Sequence, residues 1–73
     1  RQYVVSKAWT TNWSTVRMKQ DIETWMTEHV GRKGRSWGRR PAIYSPNDGG
    51  PAHFRWWIRS HAKTVVWMLR WGG

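Results

Sequence analysis

Apolar positions recur along this chain in two rhythms, one of period two and one of three to four, and each change of rhythm predicts a change of element. Residues 2 to 8 (QYVVSKA) put Tyr3 and Val5 on one side of an extended segment, and the β-branched pair Val4 and Val5 favours a strand. Trp9 and Trp13 flank Thr10, Thr11 and Asn12, a polar triplet suited to a short hairpin loop because Asn tolerates the left-handed backbone region. A second strand is then expected over Ser14 to Met18, with Ser14, Val16 and Met18 on one face; a helix starting near Asn12 is the competing reading.

Asp21 can cap a helix, after which Ile22, Trp25, Met26, His29 and Val30 fall on one stripe at spacings of three and four, and Gly31 ends it. Residues 31 to 40 (GRKGRSWGRR) hold five cations and three glycines with no acid, a composition that predicts a flexible, solvated loop. A short extended piece, Ala42 to Tyr44, follows Pro41, and residues 45 to 51 (SPNDGGP) are dense in turn-forming residues. Residues 52 to 62 are expected to form a short helix with Phe54, Trp57, Ile58 and His61 inward. Its other side would carry Arg55, Arg59 and Lys63 at spacings of four, with Trp56 alongside. From Thr64 to Trp71 the period returns to two: Val65, Trp67, Leu69 and Trp71 share one face of a last strand, and Val66, Met68 and Arg70 the other. The predicted order is strand, strand, helix, strand, short helix, strand. That is an α+β single domain over residues 1 to 73, with a mixed sheet packed by one main helix.

Composition changes this picture in two ways. The apolar share is 38%, below the usual range of about 45 to 50%, so the eight tryptophans must supply much of the core, each burying on the order of 200 Å². Trp57, Trp67 and Trp71 are assigned to it. Thirteen Lys and Arg against four Asp and Glu give a net charge of +9, which attracts polyanions. Without cysteine there is no disulfide framework and no thiolate metal site. The longest wholly apolar run, Val65 to Leu69, is far short of the roughly 20 residues that span a bilayer. No secretory leader pattern opens the chain, so a soluble or membrane-peripheral protein is expected, in a compartment the residues leave open.

The predicted order, the length and the pair Gly72 and Gly73 resemble ubiquitin and its relatives, the β-grasp family. The matching positions are Gln2 and Val5 in the first strand, Asp21, Ile22 and Glu23 at the helix start, and Lys33 and Gly34 after it. Ile43 matches the third strand, Ile58 the short helix, and Thr64, Leu69, Arg70, Gly72 and Gly73 the last strand and tail. The resemblance implies a β-grasp fold, a protein-recognition patch at Ala8, Ile43 and Met68, and a tail whose Gly73 carboxylate is joined to lysines. The +9 charge, the tryptophan load and the basic 32 to 40 segment depart from that family.

Two constellations carry candidate chemistry. Arg32, Lys33, Arg35, Arg39 and Arg40 could wrap phosphate oxygens with guanidinium forks while Trp37 stacks on an unpaired base. Neutralising about five phosphates would give log K against log salt a slope of about −4.5 on duplex DNA. On the expected short helix, Arg55, Trp56, Arg59 and Lys63 offer the same pairing of cations and aromatic, or a seat at an anionic lipid headgroup boundary. His53 and His61 could serve as acid and base on a phosphate, but a separation of eight residues along one helix is about 12 Å, too far to flank one phosphorus. His29 and His61 lie on apolar stripes, and too few acids accompany the histidines to hold zinc. No P-loop, GxGxxG or nucleophile elbow is present.

The expectation is therefore a non-enzymatic module without cofactor or metal that binds a polyanion, nucleic acid first and single-stranded DNA or RNA by preference, with little sequence choice. Three alternatives stand beside it: a ubiquitin-like protein acting through protein contacts, a Trp- and Arg-rich membrane-active polypeptide similar to bacteriocins, and an engineered chain without selected function.

Overall fold

The computed structural model describes residues 1–9, 14–45 and 50–72. Five elements succeed one another: strand β1 (Tyr3–Ala8), helix α1 (Thr15–His29), strand β2 (Trp37–Ser45), strand β3 (Gly50–Ile58) and helix α2 (His61–Trp71). The expected α+β class is what the chain adopts, but its elements are distributed differently. The expected hairpin loop at residues 10 to 12, most of the 45 to 51 turn, and Gly73 lie outside the described residues.

The segment Ser14 to Met18, expected as a strand, opens α1 instead. Ser14 is the cap, its Oγ accepting from the backbone N–H of Arg17 at 3.1 Å, so the helix begins ahead of Asp21, close to where the competing reading put it. Met18, Ile22 and Met26, spaced by four, are buried along its inner stripe, with Trp25 and Val30 packed at the margin and His29 exposed.

The largest correction concerns the C-terminal third, where helix and strand exchange places. Residues 50 to 58 form a strand in which Phe54, Trp56 and Ile58 face the core while His53, Arg55 and Trp57 face away. Residues 61 to 71 form a helix whose cap is Ser60, with Oγ accepting from Lys63 N–H at 3.3 Å. Trp67 and Trp71, four apart on it, are buried as expected, through a helical rather than an alternating spacing.

β3 is the central strand, antiparallel to β1 on one side and to β2 on the other. The sheet is thus wholly antiparallel rather than mixed, and β1 and β2 run in the same direction on either side of β3, a split β-α-β arrangement. Val5 stands opposite Trp56, and Trp37 opposite Ile58. Both helices cover this one face: Trp56 meets Trp67 at 6.0 Å between ring centres, and Trp25 meets Trp71 edge-on at 6.4 Å. Among the described residues Trp37, Trp56 and Trp67 are the largest fully buried side chains, so indoles do supply the core that the low apolar content required.

The segment expected as a loop over 31 to 40 is a closed turn leading into a strand. Arg35 and Ser36 N–H both donate to the Arg32 carbonyl, at 3.1 and 2.8 Å, and Gly34 N–H donates to the Trp37 carbonyl at 2.6 Å. Gly34 sits at φ +86°, a region glycine enters without steric cost. Residues 37 to 40 then belong to β2.

Candidate anion-binding sheet face

An antiparallel strand sends alternate side chains to opposite faces, so the residues of β3 that do not enter the core define a second surface. Along β3 that surface carries His53, Arg55 and Trp57. β1 adds Val4 beside Trp57, Ser6 beside Arg55 and Ala8 beside His53. From β2 come Gly38 beside Trp57, Arg40 beside Arg55 and, past a bulge between Arg40 and Ile43, Ile43 beside His53. Both helices lie on the other side. Val4, Ser6, Arg40 and Ile43 are exposed, and Arg55, Trp57 and His53 half-buried.

Two features make this face unusual as plain protein surface. Arg40 and Arg55 stand directly opposite each other, where like charges destabilise a strand pair. Arg55 Nε donates to the Pro41 carbonyl at 2.9 Å, which fixes its stem, whereas Arg40 has no carboxylate partner among the described residues. All the described carboxylates, Asp21, Glu23 and Glu28, are on α1 behind the sheet. Trp57 packs against Gly38: a Cβ at that glycine would collide with the indole, so the ring approaches bare backbone there.

The sequence-predicted cations divide into three groups. The β2–β3 pairing brings Arg40 and Arg55 together, although they are fifteen positions apart in the chain. Arg32, Lys33 and Arg35 are exposed in the turn at one end of the sheet, and Arg59 joins them there, its N–H donating to the Ser36 carbonyl at 3.0 Å. Arg39 and Lys63 stand apart. Lys63 is exposed on the first turn of α2, on the helical side. Arg39 faces α1 and clasps Glu23 through two bonds, Nε to Oε2 at 2.5 Å and Nη2 to Oε1 at 2.6 Å. Burial raises the Glu23 carboxyl, but its hydrogen bonds from Arg39 and Trp56 and the charges of Arg39 and Lys33 outweigh this and hold it below its usual value. The same bond lifts the Arg39 guanidinium above its own.

Both tryptophans expected to stack on bases are structural. Trp37 is 1% exposed and donates from Nε1 to the Gly31 carbonyl at 2.8 Å; Trp56 is 1% exposed and donates to Glu23 Oε2 at 2.9 Å. Trp57, assigned to the core from the helical reading, lies instead on the open face. The alternation Phe54-Arg55-Trp56-Trp57-Ile58 was the signal for this exchange, since period two puts Trp56 with Phe54 and Ile58.

Of the protein-recognition patch implied by the ubiquitin resemblance, Ala8 and Ile43 flank His53 on the open face, while Met68 is on α2 on the opposite side, with Gly72 at the C-cap of that helix. His53 and His61 do not share a helix: the first is in β3, and the second tilts against Tyr3 at 5.3 Å from the start of α2. Among the described residues no three His, Cys, Asp or Glu side chains cluster as a metal site, and no helix is long and apolar enough to cross a membrane. No family model matches the chain, and no curated protein or solved structure matches it.

Proposed function

We propose that the protein binds single-stranded nucleic acid without catalysis, through the sheet face that bears Arg40, Arg55 and Trp57, with Arg59, Arg35, Lys33 and Arg32 continuing the cationic track past the end of the sheet. The observation that carries this reading is the opposed pair Arg40 and Arg55 on a face without a described carboxylate. Repulsion between the two is relieved when a phosphate sits between them, because each guanidinium then donates to a shared anion. Trp57, two residues along β3, offers a π-face to a neighbouring base, and such stacking tolerates any sequence. Phosphate contacts of this kind position a strand without reading it. The test is fluorescence anisotropy of a labelled single-stranded oligonucleotide across a salt series. If about four cations engage phosphates, log K falls against log salt with a slope of about −2.8, and Arg40→Ala with Arg55→Ala makes it shallower by about 1.4. Affinity indifferent to salt sinks the reading.

One observation favours a second surface. On α2, Val65, Val66, Met68 and Leu69 are exposed, Leu69 at 83%, with Lys63 and Arg70 on the same helix. Apolar side chains rimmed by cations suit the boundary of an anionic bilayer. Co-sedimentation with phosphatidylserine vesicles, abolished by Leu69→Glu and absent with neutral vesicles, is the expected result; equal binding to both vesicles would count against it.

A further inference from the structure

The bulge between Arg40 and Ile43 draws β2 out of register with β3, and beside it lies a hollow of about 100 Å³ lined by Lys19, Arg39, Arg40 and Arg55 over a floor of Phe54 and Trp56. Four cationic residues line it, Lys19 and Arg39 from the helical side of the sheet and Arg40 and Arg55 from the open face, and no described carboxylate does. Only Arg39 is neutralised, by Glu23. The Lys19 ammonium sits 5.3 Å from the centre of the Phe54 ring, at the rim, with no acid bonded to it among the described residues. A larger groove of about 430 Å³ along α1 also touches Lys19 and Arg39, but Glu23 lines it and dilutes its charge.

From this we infer that the hollow is a seat for the terminal phosphate monoester of a nucleic-acid strand, held by Lys19, Arg40 and Arg55. The inference rests on the nucleic-acid reading of the sheet face and gives one end of the bound strand a fixed place on it. Charge selects this ligand. The hollow of about 100 Å³ admits one tetrahedral oxyanion, with the sugar and base of the strand extending outside it. A terminal monoester carries a charge of about −1.5 to −2 at pH 7, a closer match to three uncommitted cations than the single charge of a backbone diester. Arg40 and Arg55 are shared between hollow and face, so a strand anchored by its end emerges onto β3, where Trp57 stands about 7 Å further along.

The experiment compares anisotropy of three labelled single-stranded oligonucleotides of the same base: one ending in phosphate, one ending in hydroxyl, and a hydroxyl-ended strand two nucleotides longer, whose charge matches that of the first with its terminal phosphate fully ionised. Binding about tenfold tighter to the phosphate-ended strand than to the charge-matched one is expected. Lys19→Gln, which removes the charge and keeps a polar side chain, should erase that preference, and Lys19→Arg should keep it. Equal affinity for the charge-matched strands, or a preference that survives Lys19→Gln, overturns the inference while leaving the face intact. If none of the three binds, the nucleic-acid reading fails and the seat fails with it.

Discussion

The indole N–H of Trp56 donates to Glu23 Oε2 at 2.9 Å across the boundary between α1 and the sheet, and the same carboxylate is clasped from the other side by Arg39. Glu23 is thereby the acceptor that lets a fully buried tryptophan and a basic strand pack against one helix. Its side chain is 13% exposed.

The first consequence is a dependence on pH. Hydrogen bonding and neighbouring cations hold the Glu23 carboxyl below its usual 4.5 despite burial. The unfolded chain therefore binds the proton more readily, and the stability Glu23 confers is complete above that value and lost as pH falls through the folded one. Urea midpoints should drop on acidification below about pH 4.5, and Glu23→Gln should flatten that drop. At neutral pH, Glu23→Ala should cost about 1 to 3 kcal/mol by leaving the Trp56 donor buried and unbonded.

Stability and binding should move in opposite directions at Arg40. Replacing it by Glu converts a repulsive cross-strand pair with Arg55 into an attractive one, a gain of about 0.2 to 1 kcal/mol in urea unfolding. The same variant should lose affinity for single-stranded DNA and show a shallower salt slope. A loss of stability would show that an acid from elsewhere already compensates the pair.

The neighbouring tryptophans Trp56 and Trp57 should separate cleanly. Trp57→Ala is expected to weaken oligonucleotide binding by about 1 to 3 kcal/mol while the far-ultraviolet dichroism stays native. Trp56→Phe should lower the urea midpoint by removing the bond to Glu23. Trp67→Phe should cost less, because the Trp67 N–H is buried without an acceptor and its loss forfeits no hydrogen bond.

Gly38 is where the Trp57 indole meets the backbone of β2. Gly38→Ala puts a methyl group into the Trp57 ring, so overpacking of about 1 to 3 kcal/mol is expected, together with displaced Trp57 indole resonances in nuclear magnetic resonance spectra.

Ser60→Ala tests the boundary between β3 and α2. With its Oγ capping the helix through Lys63 N–H, its loss should cost about 1 kcal/mol; in a strand beginning near Thr64 the same change would be close to neutral.

Several features were legible in the residues alone. The α+β class, the strand at Tyr3–Ala8, the stripe of Ile22 and Met26, and the burial of Trp67 and Trp71 could all be read from local spacing, because such patterns need only the chain's own geometry. The +9 charge and its concentration outside α1 were equally visible. The assignment of the C-terminal third stayed open, since Phe54, Ile58, Trp67 and Trp71 satisfy a period of two or of four over so short a span, and an apolar residue four apart from another is also an even number apart. Only tertiary packing decided it, by the requirement that Trp56 reach both Trp67 and the Glu23 carboxylate while Ser60 caps α2. That decision turned Trp56 inward and Trp57 outward. It also set Arg40 against Arg55, because strand pairing joins residues by register, and register is fixed by which side chains the core accepts.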